Sequence, residues 1–115
     1  MSLVLERAKA WEEALNAAGL RAVIDPRNMN PPCTVIAPPA IDYPSLGSIR
    51  LTWTLHVVAP PPGNLDAWAK LDEMLEKLRE LIPLVTARPR SSFTMGDGTP
   101  LPTYEVSFVE FVTNA

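Results

Sequence analysis

The chain has 115 residues, 47% of them hydrophobic, enough for one domain with its own core. Ten basic and thirteen acidic residues give a formal net charge of −3, which argues against a protein that grips nucleic acid by neutralising phosphates. A single cysteine excludes an internal disulfide, and no apolar run is long enough to span a membrane as a helix, so the expectation is a chain assembled inside a cell.

The N-terminal run MSLVLERAKAWEE is charged from Glu6 onward and is read as the start of a helix, not as a signal peptide. Ser2 can cap that helix, which should reach about Ala18. Val4, Ala8, Trp11, Leu15 and Ala18 fall on one stripe. Gly19 suits the left-handed position that ends a helix, with Leu20 making the hydrophobic contact of a Schellman turn. Leu20–Ile24 then reads as a short strand stopped by Asp25-Pro26, and Cys33–Ala37 as a second strand. Residues 38–48 read as a loop carrying Ile41, Tyr43 and Leu46.

Ile49–Ala59 is the clearest strand. Ile49, Leu51, Trp53, Leu55 and Val57 alternate with Arg50, Thr52, Thr54 and His56, so one face should meet a core and the other water. Asn64–Ile82 follows, between a triple proline and Pro83. It reads as an amphipathic helix of about five turns, roughly 28 Å long, capped by Asn64. Its apolar stripe is expected to be Leu65, Trp68, Leu71, Leu75, Leu78 and Ile82, with Asp66–Lys70 and Glu73–Lys77 pairs on the other side. Leu84–Ala87 and Ser91–Met95 could pair around Arg88-Pro89-Arg90, and Gly96-Asp97-Gly98 is a turn by composition. Thr103–Val112 is the last strand, with Tyr104, Val106, Phe108 and Val112 on one side.

All thirteen prolines lie outside residues 1–25, 64–82 and 103–115, and so mark connections and strand edges. The order α-β-β-β-α-β-β implies an α+β fold: a mostly antiparallel sheet of about five strands with two helices packed on one face. Val58, Val109 and Phe111 would then place apolar surface on the far face of the sheet.

A catalytic constellation is not evident. Cys33 and His56, the single cysteine and histidine, lie in separate strands. With Cys33 core-facing and His56 on the polar face, they need not meet. One Cys and one His do not supply the three or four ligands of a metal site, so neither a metal nor a cofactor is expected. Gly96-Asp97-Gly98 lacks the spacing of a phosphate-binding loop. Trp11, Trp53 and Trp68 read as core residues, not as stacking platforms.

The run ALNAAGLRAVIDPRNMNPPCTVIAPP (14–39), the strand RLTWTLHVVAPPPG (50–63), the amphipathic helix after it and GDGTPLPTYEVSF (96–108) together resemble the small tail terminator proteins of long, non-contractile-tailed phages. The likeness is nearest to those of phages infecting actinobacteria. It spans nearly the whole chain, and its most telling parts are the DPR…NPPC stretch and the GDG…LP turn. The resemblance implies a virion protein at the head–tail junction, present in the host cytoplasm during assembly. It would form a hexameric ring on the finished tail tube, stop tube polymerisation and join the head connector. Its partners would be its own copies, the tail tube protein and a connector or stopper protein. DNA would only pass through the channel, where mild negative charge suits sliding. The resemblance carries no catalytic residue and no membrane contact. The residues chosen for the subunit or tube interface are Ile41, Tyr43, Leu46, Phe93, Met95, Val109 and Phe111, more apolar side chains than solvated loops and a strand end need. The competing expectations are another head–tail joining protein, such as a stopper or tail-completion protein, and a small ligand-binding α+β domain centred on His56.

Overall fold

The computed structural model describes residues 3–28, 30–60, 65–83, 86–90 and 101–113. Helix α1 (Leu3–Ala17) leads into β1 (Ala22–Val23), a 3-10 turn (Pro26–Asn28), β2 (Cys33–Ile36), β3 (Ala40–Ser45) and β4 (Ser48–Val58). Helix α2 (Leu65–Leu81), β5 (Thr86–Arg90) and β6 (Thr103–Thr113) complete it. The fold is α+β: two helices and a mixed, mostly antiparallel sheet of six strands among the described residues.

Strand β4 is the spine. It pairs along its whole length with β6, from Ser48↔Thr113 to Val58↔Thr103. Its other side is shared end to end: β2 covers Leu55–Val58 and β3 covers Ser48–Thr52. Between them Ala37 still donates to Thr54 O at 3.0 Å, but Pro38 and Pro39 bring no amide and the strand is interrupted. β1 runs parallel to β2, and β5 pairs antiparallel with the Thr103–Ser107 half of β6.

The period-two pattern of β4 is realised as expected. Leu51, Trp53, Leu55 and Val57 are buried together with Val106 and Phe108 of β6, under Ala8 and Leu15 of α1 and Leu71, Met74 and Leu78 of α2. Both helices therefore lie on one face. Trp11 meets Phe108 edge-on at 5.0 Å, and Trp53 stacks on the same ring at 6.5 Å.

Helix α1 ends as its sequence dictates. Gly19 adopts φ +84°; its amide donates to Asn16 O and that of Leu20 to Leu15 O, both at 3.0 Å. That is the Schellman pattern, and Leu15 and Leu20 are both buried beneath it. The side chains of α1 then finish the sheet. Asn16 exchanges two hydrogen bonds with the Ala22 backbone and Glu12 accepts from the Ile24 amide, so the outer edge of β1 is occupied.

Four expectations change. Residues 40–45 are a strand, not a loop, because β4 offers them a free edge and a bulge between Asp42 and Ser45 absorbs Pro44. Arg88-Pro89-Arg90 belongs to β5, where an edge position tolerates the proline, and is not a turn. On α2 the buried stripe runs through Ala67, Leu71, Met74 and Leu78, while Leu65 and Trp68 face solvent, Trp68 with 62% exposure. At 100° per residue Trp68 sits roughly 80°, and Leu65 roughly 140°, from the centre of that stripe. Val58 is fully buried, not exposed: on the far face of the sheet it packs with Cys33, Val35 and Leu101. Lys70 lies 3.6 Å and Lys77 3.8 Å from Glu73 on the exposed side. The Asn64 and Ser2 caps, Ser91–Met95 and the Gly96–Gly98 turn fall outside the described residues.

Candidate interaction surface

Directly paired residues of an antiparallel sheet share a face, so the register assigns each side chain. Opposite the helices, β4 presents His56, Thr54, Thr52 and Arg50. Across that face run the rows Val35–His56–Glu105–Arg88, Thr54–Ser107–Thr86, Ala40–Thr52–Val109 and Asp42–Arg50–Phe111. Apart from the buried Val35 the first two rows are polar, and the Thr86 and Ser107 hydroxyls lie 2.9 Å apart. The last two hold Val109 and Phe111, with Phe111 68% exposed beside the Arg50–Asp42 ion pair of 3.0 Å.

The β3–β4 turn carries the other apolar group. Tyr43 is 74% exposed and Leu46 wholly so, while Ile41, paired with Leu51, stands on the helix side of the sheet and is partly covered. Gly47 at φ +85° closes the turn, where its lack of a Cβ admits the left-handed conformation. Tyr43, Leu46 and Ile49 line a shallow groove of about 380 Å³ at this tip. The molecule measures 47 × 27 × 23 Å. Of the interface residues expected from sequence, Val109 and Phe111 are brought together on the open face. Ile41 lies on the other face, and Tyr43 and Leu46 occupy the hairpin end. Phe93 and Met95 lie outside the described residues.

Beneath this end sits a group that sequence reasoning passed over. Glu110 points to the helix face. One carboxylate oxygen accepts from Arg7 Nε at 3.1 Å and from Arg7 Nη2 at 2.5 Å. The other accepts from the indoles of Trp11 at 3.2 Å and Trp53 at 3.1 Å. Burial pushes this carboxyl up, but the hydrogen bonds from Arg7, Trp11 and Trp53 outweigh it and hold the group below the usual carboxylate range. The signal was present: alternation from Val106 and Phe108 places residue 110 inward, and Arg7 and Trp11 stand four apart on α1.

Cys33 and His56 lie on the same face, diagonally across β2 and β4. Cys33 faces away from the helices, yet it is buried as expected, in a second small core with Val35, Val58 and Leu101. Burial pushes the Cys33 thiol up, which disfavours the nucleophilic thiolate. The cleft beside it, about 330 Å³, is lined by Asn16, Arg21, Asn28 and Asn30 and does not include His56. Among the described residues no three metal-ligating side chains cluster, and no helix is long and apolar enough to cross a membrane. Comparison with known protein families, curated proteins and solved structures found no match.

Proposed function

We propose that the chain is a structural protein of the phage virion, a tail terminator. In this reading six copies form a ring that caps the tail tube, stops its growth and offers the joining surface to the head connector. The observation that carries the reading is the concentration of solvent-facing Tyr43, Leu46 and Phe111 around the distal end of one strand pair. Large apolar side chains gathered in this way lose water favourably only against a partner. The likeness of residues 14–39, 50–63 and 96–108 to tail terminators supplies the kind of partner: further copies and the tube protein.

Addition of the purified protein to polymerising tail tube protein tests this. Elongation is expected to stop, with tube lengths frozen at the moment of addition. Tubes that continue to grow while the protein binds head connectors would favour a stopper or completion protein instead.

A further inference from the structure

We propose that Leu46, on the β3–β4 turn of one copy, inserts into an apolar pocket beside Leu5 of a second copy, so that each molecule presents a knob to one neighbour and a hole to another. This rests on the self-assembling reading above and names the contact that would build the ring.

The hole lies between the start of α1 and the link joining β2 to β3. Val4, Leu5, Ala8, Ile36, Pro38 and Trp53 contribute to it, and none of its nine lining residues is charged. Its volume is about 230 Å³. That is below the roughly 300–1,000 Å³ of small-ligand pockets and above the roughly 150 Å³ of an apolar cavity that holds benzene. One large side chain is the natural occupant. Leu5 and Pro38 stand exposed at its rim.

The knob matches it. Leu46 is wholly exposed, and Gly47, in the left-handed region, fixes the tight turn that carries it. Residues 43–49 carry no charge in a chain that is 20% charged, so neither surface would bury an unpaired ion. Leu46 cannot reach the hole of its own molecule. Pro39 lines the pocket, and Leu46 is seven residues further along an extended strand, about 20 Å away. The leucine that enters belongs to another copy. Because knob and hole are different surfaces, the contact is head-to-tail. Such contacts close into a ring when the rotation between neighbours allows it.

The test compares the wild type with Leu46→Asp, which spoils the knob, and Leu5→Glu, which charges the rim of the hole. Mass is measured by light scattering across concentration, alone and with tail tube protein. Both positions are solvent-facing, so melting curves should overlay that of the wild type; Leu46→Ser and Leu5→Lys repeat the test with different polar groups. The wild type is expected to form the closed assembly, and each variant alone to associate at least tenfold more weakly. An equal mixture of Leu46→Asp and Leu5→Glu retains one good knob and one good hole, and should give a species of two copies and nothing larger. Variants that still form the ring would overturn this contact and leave the ring reading standing. A wild type that stays single at every concentration, with tubes present, would overturn both.

Discussion

Glu110 shows how one residue can be decided by its surroundings. A carboxylate on the helix side of a sheet is costly unless its lone pairs are filled, and here a guanidinium and two indoles fill them. The clamp ties α1 to both central strands. Glu110→Gln keeps the shape and removes the charge. It is expected to cost about 1–3 kcal/mol at neutral pH, toward the lower end because Arg7 is itself 36% exposed. The folded-state pKa is depressed, so the stabilisation is complete above the ordinary value of 4.5 and is lost as pH falls through the lower, folded value. Denaturation followed from pH 7 to pH 3 should show the wild type losing its advantage over Glu110→Gln below about pH 4.5. A constant gap across that range would contradict the clamp. The sequence contained this site in two halves: the inward phase of residue 110, and Arg7 with Trp11 one turn apart. What it lacked was the pairing of α1 with β6, about one hundred residues away.

At the scale of elements, legibility followed local chemistry. The end of α1 was readable because Gly19, Leu15 and Leu20 make a short-range motif whose hydrogen bonds connect neighbours in sequence. Strand β4 was readable because its alternation continues over a long run. Strand β3 was not: Pro38, Pro39 and Pro44 are loop signals, and only the edge offered by β4, with a bulge to absorb Pro44, overrides them. The stripe of α2 was misplaced by about one fifth of a turn, because Leu65 and Trp68 extend the apolar spacing without facing the sheet. Truncation separates the two stripes. Leu78→Ala should cost about 2–5 kcal/mol, whereas Trp68→Ala should stay within about 0.5 kcal/mol. Chemical denaturation of both variants checks this, and a large loss at Trp68 would restore the stripe read from spacing. Both Trp68 and Leu65 also leave a second apolar surface at the start of α2, distant in sequence from the hairpin end.

For the whole molecule, the arrangement of edges matters most. The sheet hides its β1 edge under Asn16 and Glu12 and blunts β3 and β5 with Pro44 and Pro89. Its helix-free face runs from a small buried cluster of Cys33, Val35, Val58 and Leu101, through polar rows around His56 and Glu105, to an apolar end at Val109 and Phe111. Strand order could not be read from one sequence, because nothing local states which strands pair. The fold class could, because it follows from the order of elements and their periods. What the described residues of one copy leave uncovered gives the proposed role its physical basis: an apolar hairpin end, an uncharged pocket out of reach of its own Leu46, and an apolar strand end. Electron microscopy of tail tube protein mixed with the purified chain tests that role most directly. The account expects a ring of six copies seated at tube ends and nowhere along the tube walls. Tube ends left bare at every concentration of the protein would contradict it.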